Sequence, residues 1–368
     1  MKILFLTSSL AQHFGGAAFS ESTLCFQLAN DNDVTVLSRI KRLDPIFAQK
    51  QGLKDVRGFK PFEVLLAFLF NKHWLANEIK QADVFHLNGH WFWENYFFAR
   101  LCHRNRVPYI LHPRGMLWVS YRKPRLKKLF NLVIGNWIVQ NASKVILLSK
   151  FEKGHCKPYK VEATKLVIIP NGISSVSNHE LVPAEPGYFL YLGRIEPRKN
   201  LEFLIRAFLS FGQNDSSIVL RLVGPVEKEH DSVVLGLINK LGLSGRVFLE
   251  PPKYGLEKDR LVANALAVIY PAFEETFGRT IFEAFASGTV CLLPDASGGA
   301  EYVMGFAPEV IYQGKSETSL AEKMREVSQL SQEKRKDCIQ KSQRWISKYL
   351  NWNEVTHQVL EIYKQVLN

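Results

Sequence analysis

At 368 residues the chain exceeds the usual size of one domain, and its hydrophobic content of 46% with 22% charged residues excludes disorder. The net charge of +12 lies in one half: residues 1–178 hold 25 Lys+Arg against 11 Asp+Glu, whereas the other 190 hold 22 against 24. That asymmetry points to an anionic partner for the first half, whether nucleic acid, a lipid surface or a phosphorylated substrate.

The opening Met-Lys-Ile-Leu-Phe-Leu reads as a buried strand over residues 3–6, since its apolar run is too short for a signal peptide and no small-residue cleavage site follows. Further strand-like runs occupy 34–37, 84–87, 109–111, 145–148 and 166–169. A Ser- and Pro-rich stretch, 174–187, reads as a linker. A second set follows at 188–192, 218–223, 247–249, 267–270 and 290–293. Continuous apolar strands separated by amphipathic stretches mean parallel sheets buried on both faces, here twice over. The end of the chain is an amphipathic helix with Val355, Val359, Ile362 and Val366 at helical spacing. The domains expected are therefore 1–178, 187–345 and a terminal segment 346–368. No apolar stretch of about 20 residues exists to span a bilayer. The five cysteines form no CxxC pair and read as thiols of a reducing compartment, so a cytoplasmic location is expected.

In such sheets ligands bind beyond the carboxyl ends of strands, and four loops there carry candidate chemistry. Pro271-Ala-Phe-Glu-Glu-Thr-Phe-Gly-Arg-Thr-Ile-Phe-Glu-Ala-Phe-Ala-Ser-Gly288 follows one strand and opens a helix. Glu275 and Glu283 there can accept hydrogen bonds from sugar and ribose hydroxyls, and backbone N–H groups at the helix start, over 276–280, can meet a phosphate. Gly193-Arg-Ile-Glu-Pro-Arg-Lys-Asn200 follows another strand, where Arg194 and Lys199 could neutralise a diphosphate. In Ser8-Ser-Leu-Ala-Gln-His-Phe-Gly-Gly-Ala17, Gly15 and Gly16 permit close backbone approach to a ligand. Pro108-Tyr-Ile-Leu-His-Pro-Arg-Gly-Met-Leu117 supplies His112 and Arg114. His90 ends another strand, and is read either as a cleft residue or as a structural histidine. No DxD-type metal motif is needed where the loop cations replace Mg²⁺ as charge stabilisers, so neither a metal nor a cofactor is expected.

The 271–288 stretch, with its E-x7-E spacing, resembles the retaining glycosyltransferases of family 4, the glycosyl transferase group 1 family. The 193–200 loop resembles that family's G-R-x-x-x-x-K-N motif. The resemblance implies the GT-B architecture: two facing Rossmann-like domains with parallel sheets and an interdomain cleft. It implies a nucleotide-diphosphate sugar donor held by the second domain, through Arg194, Lys199, Glu275, Phe277, Gly278, Thr280 and Glu283, with Gly15 and Gly16 against the diphosphate. Glu275 would contact the transferred sugar and Glu283 the ribose hydroxyls, with Arg194, Lys199 and Glu275 the catalytic group. The terminal segment resembles the helix that returns to the first domain. Three departures stand out: Ala272 replaces a usual Ser, Thr276 a usual Gly, and Arg114 a usual His that faces the sugar. A permanent cation cannot exchange a proton, which suits Arg114 to a phosphate. Rival readings are a sugar-nucleotide epimerase of the same architecture and a non-catalytic relic binding glycan or membrane.

The segment 122–128 packs Arg122, Lys123, Arg125, Lys127 and Lys128 beside Leu129, Phe130, Leu132 and Val133. A basic helix with an apolar flank suits an anionic membrane surface, and otherwise is a solvated helix edge. Nucleic acid is not expected, because no recognised binding module accompanies the charge. The acceptor that fits is a glycan, lipid-linked or otherwise phosphorylated, of the kind used in cell-surface polysaccharide synthesis.

Overall fold

The structure is a computed structural model, describing residues 1–10, 16–50, 52–70, 73–119, 123–174, 187–212, 217–227 and 230–368. The chain divides into two compact units: Met1–Gly172 with Trp352–Asn368, and Ile173–Asn351.

In unit 1, strands β1 (Lys2–Leu6), β2 (Asp33–Arg39), β3 (Val56–Phe59), β4 (Val84–Asn88), β5 (Tyr109–His112), β6 (Lys144–Leu147) and β7 (Leu166–Ile168) form one sheet. Their order is β3-β2-β1-β4-β5-β6-β7 and every pairing is parallel. Side chains alternate across a strand, so an unbroken apolar run must be covered on both faces. On β1, Ile3 and Phe5 enter one core with the helix Gly16–Leu28. Leu4 and Leu6 enter another beneath the helices Pro61–Phe70, Trp74–Gln81 and Trp93–Arg104.

The last helix, Trp352–Leu367, joins the first of these cores through Val355, Val359 and Ile362. Gly172 makes room for it, since a Cβ there would lie 2.3 Å from the Trp352 ring. The expected terminal segment 346–368 divides in two. Ile346 and Leu350 are buried at the close of the helix Gln332–Tyr349, and Leu350 O accepts from Ile173 N at 2.6 Å. Residues 346–351 therefore stay with unit 2, and unit 1 breaks at Gly172 instead of 178. Residues 175–186 of the expected linker lie outside the described residues.

Unit 2 contains β8 (Tyr188–Leu192), β9 (Val219–Val223), β10 (Val247–Glu250), β11 (Ala267–Ile269), β12 (Cys291–Pro294) and β13 (Ile311–Tyr312). Their order is β10-β9-β8-β11-β12-β13, again all parallel. Two strands escaped the periodicity argument, β3 and β13, and both are edge strands. In β3 Arg57 and Gly58 interrupt the run and only Phe59 is buried, while β13 has just two residues. In each sheet the strand order reverses beside the first strand, between β1 and β4 and between β8 and β11. Beyond the carboxyl ends at such a reversal is where doubly wound sheets hold ligands.

Candidate active site

The two motifs of the second half meet at the reversal in unit 2. The loop after β8 carries Lys199, and the loop after β11 carries Glu275. Lys199 Nζ lies 2.8 Å from Glu275 Oε2 and 3.4 Å from the Tyr270 hydroxyl, which itself donates to Glu275 Oε2 at 2.8 Å. The Thr276 amide donates to Glu275 Oε1 at 3.1 Å. Burial favours the neutral acid, but Lys199, the Tyr270 hydroxyl and nearby Arg198 outweigh it and hold the carboxyl down to about 2. Glu275 is thus an anion at neutral pH, fixed on three sides. Asn200 helps to lock the two loops together, donating from Nδ2 to Pro271 O at 3.1 Å.

Arg194 behaves differently from Lys199. Its side chain is 58% exposed and pairs with buried Glu196 at 3.1 Å, while its carbonyl accepts from the Tyr191 hydroxyl. The basic residue whose charge bears on Glu275 alongside Lys199 is Arg198, whose guanidinium donates to Glu274 O at 3.3 Å. Sequence reasoning passed over Arg198 and Tyr270. The E-P-R-K run signals the first, whereas a Tyr closing an apolar strand gives no sign of pointing into a site.

Gly278 caps the helix Arg279–Ala286 at φ 75°, a left-handed conformation in which a Cβ would meet Ile281 Cδ1 at 2.6 Å. Thr280 lies in the first turn, and Glu283 in the second. Glu283 is flanked by cations, with Arg279 Nε at 2.7 Å and Lys258 Nζ at 3.3 Å. Phe277 was expected against the donor, but its ring is committed to the core. It is buried, stacks on Phe282 at 4.6 Å and meets Tyr302 edge-on, so only its backbone is free to face a ligand.

At the reversal in unit 1 the described residues form a buried polar cluster. The Ser8 amide and hydroxyl donate to Glu21, at 2.7 and 2.8 Å. Arg114, at φ 50°, donates to Asn88 Oδ1 and Asn171 Oδ1, both at 2.7 Å, and lies 3.7 Å from Glu21. Burial opposes the charges of both Arg114 and Glu21; for Arg114 the fields of Glu21 and Glu152 counter it. Its cation is already balanced within unit 1, which weakens the case for a phosphate partner. His112 Nδ1 is 3.3 Å from His86 Nε2, and His86 Nδ1 is 2.6 Å from the Tyr363 hydroxyl of the last helix. His90 is wholly buried, bonded to Asn131 at 3.1 Å and ringed by Trp91, Phe130 and Tyr159. Burial holds it down to about 4, so it is a neutral structural histidine at neutral pH. Gly16 begins the helix Gly16–Leu28, while Gly15 lies outside the described residues.

Of the basic segment, Lys123 opens the helix Pro124–Phe130 and is exposed with Arg125 and Lys128. Lys127 turns inward, donating to Trp118 O at 3.1 Å and lying 4.9 Å above the Trp91 ring. Arg122 lies outside the described residues. Among the described residues, no three His, Cys, Asp or Glu side chains come together around a metal position, and no helix is long and apolar enough to cross a membrane.

Residues 14–175 match the family Glycosyltransferase Family 4, and residues 175–345 match Glycosyl transferases group 1. A D-inositol 3-phosphate glycosyltransferase of Nocardia farcinica is 31% identical over 139 residues, 36% of this chain and 31% of its own length. Another, of Salinispora tropica, is 22% identical over 254 residues, 62% of this chain and 52% of its own length. The matched region thus spans about a third to about half of these curated relatives. The crystal structure of Anabaena Alr3699/HepE in complex with UDP superposes with a TM-score of 0.80 at 21% identity, covering 99% of this chain and all of the other. With both halves matched and both sheets of the GT-B type, the chain belongs to the family 4, group 1 glycosyltransferases.

Proposed function

We propose that the protein transfers a sugar from a nucleotide-diphosphate donor to a glycan or lipid-linked glycan acceptor, with retention of configuration and without a metal. The observation that carries this reading is the Lys199–Glu275–Tyr270 contact at the strand reversal of unit 2. A cation and an ionised carboxylate held side by side suit a reaction in which positive charge grows on the sugar while negative charge grows on the departing phosphate. The bond between C1 and the β-phosphate oxygen breaks, the sugar becomes oxocarbenium-like, and the acceptor oxygen bonds to C1 from the same face. The acceptor proton passes to the leaving diphosphate oxygen. Lys199, with Arg198 and Arg194 in the same loop, offsets the charge of that diphosphate, in place of a divalent ion. Glu275 accepts from sugar hydroxyls and Glu283 from ribose hydroxyls, displacing Arg279 or Lys258 from part of its carboxylate. Thr280, in the first turn of its helix, would approach the diphosphate.

The relatives are named for D-inositol 3-phosphate, whose phosphate agrees with an anionic acceptor for the basic unit 1. The exposed cations Lys123, Arg125 and Lys128 suit a lipid-linked form at a cytoplasmic membrane face, as a role in cell-surface polysaccharide synthesis would require. UDP complexes of Anabaena Alr3699/HepE make uridine diphosphate sugars the first donors to test. A panel of these, followed by release of free UDP and by thermal stabilisation, decides between the readings. UDP release that depends on an added glycan acceptor supports transfer. A rearranged sugar nucleotide formed without acceptor would make the protein an epimerase, and neither binding nor turnover would leave a relic.

A further inference from the structure

The helix Pro61–Phe70 plays no part in the reaction proposed above, yet its outer face is apolar. Val64 and Ala67 are fully buried against the sheet, and the opposite side carries Phe62, Leu69 and Phe70, the last 67% exposed. Helical spacing sets these three on one stripe directed away from the core. A soluble surface helix ordinarily carries charge there; this one has only Glu63, whose carboxylate caps Lys60 N.

The helices beside it continue the surface. Pro61–Phe70, Trp93–Arg104 and the segment 124–140 all pack on the same face of the seven-stranded sheet through one core. Half-buried rings run unbroken between them: Phe68 to Phe97 at 5.3 Å, Phe97 to Tyr96 at 5.4 Å, and Tyr96 to Trp137 at 5.5 Å. Asn131 turns inward to His90 and Tyr159, leaving Leu132 and Val133 on the outside, 78% and 66% exposed. Leu129 is exposed one turn earlier and Leu126 two turns earlier. Around these apolar groups stand the exposed cations Lys60, Arg104, Lys123, Arg125 and Lys128. From residue 95 to 151 the chain has eleven Lys+Arg and no acidic residue at all.

We propose that these two helical segments form one docking face of unit 1, with Pro61–Phe70 inserting apolar side chains and the 123–133 segment supplying charge, and that its occupant is an anionic lipid bilayer. Large apolar groups surrounded by cations fit the boundary where headgroup phosphates meet acyl chains, and the aromatic belt between them suits the same depth. An acidic protein surface would match the charge but not seven outward apolar side chains spread over two helices. The proposal extends the membrane contact suggested above for the basic segment, and assigns Pro61–Phe70 a role of its own.

Sedimentation with vesicles of phosphatidylcholine alone, or with one third phosphatidylglycerol, tests it without donor or acceptor. Wild type should bind the anionic vesicles and release them as salt rises. Lys123→Gln, Arg125→Gln and Lys128→Gln together should weaken binding about 100-fold, at about 1 kcal/mol for each cation. Phe62→Ser, Leu69→Ser and Phe70→Ser together should weaken it at least as much, with an unchanged slope against salt. All six positions are exposed, so unchanged melting temperatures should accompany both losses. UDP-sugar turnover on a soluble acceptor should persist in both variants, and its absence from wild type would count against the transferase reading alone. Wild type that ignores anionic vesicles, or serine variants that bind as wild type does, would overturn the proposal. So would a concentration-dependent dimer abolished by the serine substitutions in a protein that binds no vesicles, for then the face pairs two copies.

Discussion

Lys199 and Glu275 stand 76 positions apart and make a 2.8 Å ion pair, in which the cation helps to hold the carboxylate ionised. Replacing Lys199 by Ala removes the charge proposed to compensate a departing diphosphate, and turnover should fall about 100-fold or more. It should also change the pH profile. In the wild type Glu275 stays ionised down to about 2, so no acid limb from it appears in the working range. Without Lys199 its carboxyl should climb toward the ordinary 4.5 or above, and kcat/KM should acquire an acid limb there. The folded value lies below the unfolded one, so the pair's stability contribution is present above about pH 4.5 and lost as pH falls toward 2. A Lys199→Ala enzyme with normal turnover and an unshifted profile would remove this contact from the mechanism. Arg194→Ala, at an exposed side chain that pairs with Glu196, should lose less than Lys199→Ala; parallel kinetics on the two variants measure the difference.

At the scale of elements, the join between Gly172 and the helix Trp352–Leu367 is an exacting contact. A methyl at Gly172 would need the Trp352 indole to move by an ångström or more, because the Cβ would stand 2.3 Å from it. Gly172→Ala should destabilise the protein by about 1–3 kcal/mol, the usual range for overpacking. Trp352→Ala costs packing of its own, yet the double variant should be more stable than the sum of the single losses implies. Denaturant midpoints of the four proteins provide the cycle, and strict additivity would show that the indole does not limit position 172. The same helix brings Tyr363 to His86, so this join also supports the polar cluster at the ends of β4 and β5.

At the scale of the whole molecule, the proposed chemistry uses protein cations where many transferases use a divalent ion. Activity after exhaustive dialysis against EDTA should equal that before it. Loss of activity that returns with Mg²⁺ or Mn²⁺ would refute the charge-compensation account and require a metal held by the substrate's own phosphates.

The parallel two-sheet architecture and the family were legible in the sequence, because unbroken apolar strands and the two loop motifs are local patterns carried by consecutive residues. Strands β3 and β13 were not, since Arg57 and Gly58 interrupt the first and the second is only two residues long. Lys199, Glu275 and Glu283 stood out by spacing. Only tertiary structure could bring Tyr270 and Arg198 to the same carboxylate, withdraw Phe277 into the core, and bury His90 as a neutral ring. It also balanced Arg114 against Glu21, and turned Lys127 inward while leaving Leu132 facing solvent. Each of these depends on contacts between residues distant in sequence, or on which side of an element faces the core. Periodicity reports that an element is apolar; the packing of its neighbours decides which polar atoms are paired and which faces remain open to a ligand or a membrane.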